Sequence, residues 1–181
     1  DISRIENNVA NKIGLKKVPP MYQCHLVRSP LMMGVISPKM LIPQEEYSEQ
    51  ELELIFYHEL MHIKRKDIPV KALMILVHAI YWFYPLIYLM RREMDKDMEF
   101  LCDEAVVKCI NGESRRLYNE IILKSTVGNR QLRPILTSNI SGSMKYLKER
   151  FGANMKLKKR KKGYQIVALF LVAVIGCGFF V

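Results

Sequence analysis

Cysteine is scarce in this chain, and the few cysteines present are not spaced as a bonded or metal-binding pair would be. Cys24, Cys102, Cys109 and Cys177 are the only four in 181 residues, and none belongs to a Cys-x-x-Cys motif. Nothing in this spacing indicates a disulfide framework. We therefore predict reduced cysteines in a domain that lies in the cytosol.

The apolar core of a signal peptide is also missing, since residues 1–30 contain no such run. No internal repeat or low-complexity linker divides the chain. A chain of this length can bury one good core, which predicts one domain with appendages. Because it begins at Asp1 and stops inside an apolar run at Val181, we expect it to be a piece of a longer protein.

Acidic residues are nearly absent from residues 145–162, which hold nine Lys or Arg and one acid, Glu149. Much of the net charge of +10 therefore lies in one patch. Nucleic acid is one conceivable partner, but the patch runs directly into residues 163–181, which carry no charge. A basic segment before an apolar one is typical of a transmembrane helix entered from the cytoplasm. We therefore predict a transmembrane helix over 163–181, a lipid membrane as partner, and no direct contact with nucleic acid.

The remaining chain predicts an α+β fold that is mainly helical, with a small N-terminal β-sheet. Residues 3–14 have the apolar spacing of a short amphipathic helix. Residues 21–43 predict short strands separated by Ser-Pro turns. From Tyr47 the spacing becomes helical, and Ser48 followed by Glu51 is typical of a capping box.

Three further helices are predicted after this first long one. Asp67 can cap the second helix, and Pro85 is well placed to open the third, because proline is tolerated at a helix start and not in its interior. Asn111-Gly112 is expected to close the third helix. A fourth helix is predicted over about residues 113–127.

The stretch FYHELMHIKRKD, residues 56–67, contains the motif H-E-x-x-H as His58, Glu59 and His62. On a helix the two histidines project from one face, and imidazoles at that spacing can hold one zinc ion about 2 Å from each nitrogen. Glu59 lies on the flank of that face, where it can take the proton of a water that the metal activates. The motif predicts one Zn²⁺, with His58 and His62 as ligands and Glu59 as general base.

A catalytic zinc also needs a third protein ligand and an open position for water. Glu99 is the strongest candidate, because Glu99-Phe-Leu-Cys-Asp103 places a second carboxylate one helical turn further on. Asp103 is expected to accept a hydrogen bond from the other N–H of a liganding histidine and so to orient it. His25 and His78 are better explained as structural histidines, and Cys102 as a packing residue, since thiolate-rich zinc sites are usually closed structural sites.

Together the two motifs resemble the gluzincin pattern of zinc peptidases, H-E-x-x-H followed by E-x-x-x-D. The segments HELMHIKRKD and YWFYPLIYLMRREMDKDMEFLCDEAV resemble the BlaR/MecR-type family of membrane-bound signalling metallopeptidases. The segment SPLMMGVISPKMLIP is similar to that family's region ahead of the zinc helix. The resemblance covers residues 1–165, and both zinc motifs match without departures.

The resemblance implies a multi-pass protein of the cell membrane whose zinc metallopeptidase domain, residues 1–162, is cytoplasmic and lies between the third and fourth transmembrane helices. It implies a peptide or protein substrate, namely the protein's own cytoplasmic loop, a transcriptional repressor, or both. An extracellular β-lactam-binding sensor often follows the last transmembrane helix in this family, and we expect one in the full-length chain. The expected function is a membrane-anchored zinc endopeptidase in signal transduction, with a β-lactam as one candidate signal.

Residues 72–90 form 19 nearly uncharged positions, a length that alone would suit a membrane span. A single spanning helix would separate His62 from Glu99 by roughly 28 Å. Two full crossings need about 40 residues, and only 36 lie between these ligands. If both bind one zinc, the segment must be a helical hairpin that turns near Tyr84-Pro85. The hairpin then either packs on the domain or enters one leaflet of the membrane. Its aromatic residues favour the second arrangement, because such residues suit the membrane interface.

One segment is predicted to bind substrate. It comprises Leu31, Met32, Met33, Gly34 and Val35, which lie ahead of the zinc helix and have the composition of a strand. By analogy with peptidases of this class, the strand is expected to present an edge to which an extended peptide adds.

A second segment is predicted to be cut by the protein itself. Residues 129–143 contain Pro134, Gly142 and four Ser or Thr residues, a composition that favours extended chain. Tethering near the active site raises the effective concentration of such a loop. We expect self-cleavage there, with Asn139-Ile140 as the predicted bond.

Two other functions remain open on the residues alone. A housekeeping membrane protease of the prenyl-protein-processing type shares both zinc motifs. A non-catalytic receptor linker with a structural or vestigial zinc site is the other, although the presence of Glu59 counts against it.

Overall fold

A computed structural model describes residues 2–27, 29–128 and 149–152 of the chain. It confirms the predicted fold class, which is mainly helical, since the described residues form five helices and a small sheet of three short strands. In chain order, the elements are α1 Ile2–Ile13, β1 Met21–Gln23, β2 Leu31–Met33, β3 Lys39–Ile42, α2 Glu49–Lys64, α3 Asp67–Ile80, α4 Pro85–Cys109 and α5 Gly112–Gly128. Residues 149–152 add a short helical segment.

Helix α2 is the central element, because it contacts α1, α3, α4 and α5. The predicted capping box starts it: the Ser48 hydroxyl accepts from the Glu51 N–H at 3.2 Å, and the Glu51 carboxylate accepts from the Ser48 N–H at 3.0 Å. The core gathers around the apolar residues of α2. Its largest fully buried side chains are Tyr118, Phe56, Met40, Ile42, Leu60, Val9, Val106, Val107, Asp103 and Cys102.

The sheet has the order β1-β3-β2, with β1 parallel and β2 antiparallel to β3. Met32 pairs with Met40 in the β2–β3 register, and β2 lies at one edge of the sheet. The strand is shorter than predicted because Gly34 turns the chain away with a φ of +95°. A Cβ atom at Gly34 would lie 2.6 Å from the Ser37 carbonyl oxygen, so only glycine fits this turn. Gly34 and Val35 therefore follow the strand instead of extending it.

Helices α3 and α4 form a hairpin joined by residues 81–84. Its side chains remain largely exposed on both helices, with Trp82 and Phe83 at the turn 66% and 67% exposed. Pro85 occupies the first turn of α4, as predicted. None of the helices within the described ranges combines the length and the apolar character that crossing a membrane requires. The predicted transmembrane helix over 163–181 lies outside the described residues.

Two predicted helix boundaries are wrong in detail. Lys66, with a left-handed φ of 62°, is the N-cap of α3, and no side chain caps that helix. Asp67 is instead buried inside the fold, where it has another partner. Asn111 does not end α4 but begins α5, because its side-chain oxygen accepts from the Ser114 N–H at 2.9 Å.

A buried acid on α1 predicts a pH-dependent stability. Burial raises the pKa of Glu6 to about 7, and its Oε1 has no hydrogen-bond partner among the described residues. Because the folded-state pKa exceeds the unfolded one, the folded state is favoured when the acid is protonated. The protein therefore loses stability as the pH rises through 4.5 towards 7. We expect Glu6→Gln to raise the free energy of unfolding by about 1–3 kcal/mol at pH 8, and by much less at pH 5.

Urea unfolding at both pH values measures this difference. Exposed Glu120 on α5 provides the control, since Glu120→Gln should change stability little at either pH. An equal effect of Glu6→Gln at pH 5 and pH 8 would contradict the assignment of a raised pKa.

Candidate metal centre

Helix α2 places the two histidines of the motif side by side. His58 Nε2 and His62 Nε2 lie 3.3 Å apart, because residues four apart on a helix project from the same face. Two nitrogens that bind one tetrahedral zinc at about 2.0–2.1 Å are themselves separated by roughly 3.3 Å. The pair therefore has the spacing of two zinc ligands.

Glu99 approaches the same point from α4, which packs against α2. Its Oε2 lies 3.6 Å from His58 Nε2, and its Oε1 lies 3.8 Å from His62 Nε2. If the Glu99 carboxylate moved about 0.3–0.5 Å towards the histidines, its oxygens would lie at the distance from the two nitrogens that is expected of a third tetrahedral ligand. Two imidazoles and one carboxylate form a donor set found in catalytic zinc sites, so these residues fit the metal.

The other ring nitrogen of His58 faces Tyr118 on α5. The Tyr118 hydroxyl donates to Asp103 Oδ1 at 2.8 Å, so it accepts from His58 Nδ1 at 2.7 Å. A hydroxyl has one proton to donate, which assigns the imidazole proton to Nδ1. His58 Nε2 therefore keeps its lone pair for a metal.

Asp103 acts on His58 through Tyr118, and this differs from the prediction. Its Oδ1 lies 3.6 Å from His58 Nδ1, too far for the expected direct hydrogen bond. The tyrosine lies on α5, whereas the E-x-x-x-D motif lies on α4. The spacing within the motif therefore could not indicate it. Asp103 is fully buried and remains in the second layer around the site.

Asp67 is the carboxylate that bonds a motif histidine directly. Its Oδ2 lies 2.7 Å from His62 Nδ1, and Arg65 Nε lies 3.3 Å from its Oδ1. The left-handed turn at Lys66 folds the chain back after α2 and brings Asp67 to the histidine. Such a contact fixes the tautomer of His62 and leaves its Nε2 facing His58.

Cys102 lies close enough to offer an alternative third ligand. Ligand atoms of His58, His62 and Cys102 lie within 4.8 Å of one another. The thiol, however, is 3.7 Å from His58 Nδ1, the nitrogen that bonds Tyr118, and it donates to the His58 carbonyl oxygen at 3.4 Å. A site with Cys102 and Nδ1 would displace Tyr118, whereas the site with Glu99 keeps that contact.

The electrostatics of the site couple metal binding to protons. Burial lowers the pKa of His62, but its hydrogen bond to Asp67 and the nearby Cys102 outweigh burial and raise that pKa to about 9. Burial raises the pKa of Glu99, yet the hydrogen bond and charge of His58 outweigh it, so this pKa lies well below its ordinary value. Because coordination requires neutral imidazole, metal binding releases protons and strengthens as the pH rises.

Glu59 lies on the flank of the same helix, partly buried beside the two histidines. Burial raises the pKa of its carboxyl, and the charges of His58 and His62 offset only part of that increase. A raised pKa makes the carboxylate a stronger base, which suits a group that takes a proton from water.

The other histidines lie apart from this cluster. His78 Nδ1 lies 3.0 Å from a terminal nitrogen of Arg91, and its ring packs edge-on against Tyr88. Both of these contacts of His78 come from side chains of α4. His25 is exposed in a turn after β1, not on a strand. The predicted cleavage bond, Asn139-Ile140, lies outside the described residues.

Four residues near the centre were not predicted from the sequence: Asp67, Lys71, Tyr118 and Arg150. The Lys71 ammonium lies 3.8 Å from Glu99 Oε1. For Asp67 the sequence offered a usable signal, namely an acid at the first position of the apolar helix α3. Tyr118 is 60 positions from His58, so no local pattern could connect them.

One helix provides the H-E-x-x-H pair, and a second helix brings a glutamate beside it. This arrangement defines a metal centre of the metallopeptidase class. The chain belongs to the BlaR1 peptidase M56 family, whose sequence profile matches residues 2–153. This confirms the resemblance that the two zinc motifs indicated.

Individual relatives are similar over most of this chain. Over 128 residues it is 35% identical to the regulatory protein BlaR1 of Bacillus licheniformis. The matched region covers 69% of this chain and 21% of the relative. Over 139 residues it is 30% identical to the methicillin resistance mecR1 protein of Staphylococcus aureus. This matched region covers 75% of this chain and 22% of the relative. The chain thus spans about a fifth of the length of these relatives.

Proposed function

We propose that this chain is the catalytic part of a membrane-anchored zinc endopeptidase that acts in signal transduction. The convergence of His58 Nε2, His62 Nε2 and Glu99 on one point is the observation that carries the proposal. The family membership supports a peptidase, and the names of the relatives support a regulatory role in resistance to β-lactams.

Each residue of the centre has a distinct part in the proposed reaction. One Zn²⁺ held by His58, His62 and Glu99 would supply Lewis-acid activation of the attacking water and of the peptide carbonyl. Glu59 takes the proton of that water and returns it to the leaving amine. Asp67 orients His62, while Tyr118 and Asp103 orient His58.

The proposed substrates are extended segments of protein. Leu31–Met33 form an edge strand, to which a peptide can add as a further strand. The self-cleavage bond Asn139-Ile140 within residues 129–143 remains our proposal, and a transcriptional repressor is the proposed second substrate. For the full-length protein we propose a cytoplasmic catalytic domain, the transmembrane helix over 163–181 and an extracellular sensor.

We further propose that the α3–α4 hairpin enters one leaflet of the bilayer. Its exposed residues include Leu73, Leu76, Trp82, Phe83 and Leu89, an apolar surface too large for water to favour. From Lys71 to Ile80 the helix is roughly 15 Å long, about half of a 30 Å hydrocarbon layer. Aromatic residues occupy the turn, and basic residues at the other end of the hairpin suit anionic head groups: Lys71, Arg91 and Arg92.

Trp82 is the only tryptophan of the chain, so its fluorescence reports on the hairpin. In vesicles we expect lipids brominated on their acyl chains to quench Trp82, and aqueous acrylamide to quench it poorly. A variant that carries Trp82→Phe and Tyr22→Trp moves the probe to the exposed β1 strand and should show the opposite pattern. Strong acrylamide quenching of Trp82 in vesicles would contradict insertion.

Peptide hydrolysis by the purified chain in detergent tests the proposed function. A zinc chelator should abolish hydrolysis of fluorogenic peptides, and added Zn²⁺ should restore it. A chain that binds zinc stoichiometrically but hydrolyses neither peptides nor its own 129–143 segment would instead be the non-catalytic linker. Cleavage of prenylated peptides alone would favour the prenyl-processing alternative.

A further inference from the structure

Arg150 enters the metal centre from the short helical segment 149–152. Its Nε donates to Asp103 Oδ2 at 2.6 Å, and a terminal nitrogen donates to Asp103 Oδ1 at 2.7 Å. This is the two-pronged contact that a planar guanidinium makes with a carboxylate. Both side chains are withdrawn from water, since that of Arg150 is 7% exposed and that of Asp103 is not exposed at all.

The same guanidinium also faces the proposed third ligand. The terminal nitrogen that bonds Asp103 lies 3.5 Å from Glu99 Oε2. Asp103 in turn accepts from Tyr118, whose hydroxyl contacts His58 Nδ1. One arginine therefore contacts the carboxylate that supports His58 and lies beside the carboxylate of Glu99.

We propose that Arg150 is a positioning residue of the zinc centre. It fixes Asp103, and through Tyr118 the ring of His58, and it holds the Glu99 carboxylate towards the two histidines. The proposal rests on the three-ligand site proposed above. It places a functional residue in a region where the sequence indicates only a basic patch.

Charge and positioning predict opposite effects when Arg150 is replaced. A positive charge near the site repels Zn²⁺, so charge alone predicts tighter zinc binding after its removal. Positioning predicts weaker binding, because Asp103 would stay buried without the partner that orients it. Partners in the second layer typically contribute 10- to 100-fold in metal affinity. The sign of the change therefore separates the two explanations.

The experiment uses the 181-residue chain with Glu59→Gln, which removes self-cleavage as a complication. Zinc affinity is measured by competition with a chromogenic chelator, and the visible spectrum of bound Co²⁺ reports the coordination geometry. For Arg150→Gln we expect zinc affinity to fall about 10- to 100-fold and the cobalt spectrum to change. Arg150→Lys keeps the charge but lacks the planar fork, so we expect a smaller fall.

Arg4→Gln is the matched control, because Arg4 is exposed and faces Glu49 at 3.9 Å, far along the chain from the centre. It should leave zinc affinity and the cobalt spectrum unchanged. A double-mutant cycle adds Asp103→Asn: if Arg150 acts through Asp103, the combined loss should be smaller than the sum of the single losses. Circular dichroism melting verifies that each variant is folded.

Equal or tighter zinc binding by Arg150→Gln, or an unchanged cobalt spectrum, would overturn the proposal. If Arg150→Gln does not fold, Arg150→Lys decides: weaker binding with an altered spectrum supports positioning, and behaviour identical to the parent overturns it. Failure of the parent Glu59→Gln chain to bind zinc would instead refute the three-ligand site itself.

Discussion

Replacing Glu59 by Gln should reduce peptide hydrolysis by roughly 100- to 10,000-fold while zinc remains bound. Glutamine keeps the size of the side chain but cannot take a proton from water. Glu59 lies between the two histidines in sequence and on the same helix α2, and it is not one of the proposed ligands, so its carboxylate is free to act as the base. Its pKa is raised by burial, which favours proton transfer.

Two measurements test this expectation. Hydrolysis of a fluorogenic peptide gives kcat for both proteins at matched zinc content. Expression in membranes, followed by mass spectrometry, maps fragments that end within residues 129–143. Glu104→Gln on α4 is the control, since Glu104 pairs with Lys108 at 2.6 Å and should not affect either assay.

The fragment pattern also tests the proposed self-cleavage. Fragments with ends at or near Asn139-Ile140 should disappear in Glu59→Gln and persist in Glu104→Gln. Identical fragments in all three proteins would show that another protease makes the cut. Peptide hydrolysis that survives Glu59→Gln would refute the role of Glu59 as general base.

Loss of a zinc ligand should have the second large effect. We expect His62→Ala and Glu99→Ala each to lower zinc affinity by more than the roughly 10- to 100-fold of a second-layer partner. His62 contributes a donor atom, and its removal also takes away the 2.7 Å contact with the buried Asp67 carboxylate. Glu99 lies within 3.6 Å and 3.8 Å of the two Nε2 atoms.

Cys102→Ala identifies the third ligand. If Glu99 is that ligand, Cys102→Ala should keep a full equivalent of zinc by mass spectrometry under native conditions, because the thiol lies 3.7 Å from His58 Nδ1, on the side of the ring away from the proposed metal position. Full zinc in Glu99→Ala together with loss in Cys102→Ala would assign the thiolate as ligand. A cobalt complex would then show the strong charge-transfer absorption typical of a Co–S bond.

Much of the fold was predictable because its signals are local. The capping box at Ser48, the proline at the start of α4 and the apolar periods each depend on neighbours within a few residues. The hairpin over residues 72–90 followed from geometry, since ligands on both sides of it must meet. Asp67 was misassigned because a cap and a buried partner of histidine have the same local pattern.

The sequence by itself determined the H-E-x-x-H pair and the downstream acids, since residues three or four apart on a helix share a face whatever surrounds them. Only the tertiary structure decided which groups complete the centre. Tyr118 comes from α5 and Arg150 from the segment 149–152, and both meet Asp103. These contacts depend on how helices that are far apart in the sequence pack against each other. The position of a side chain along its own helix contains no information about its partner on another helix.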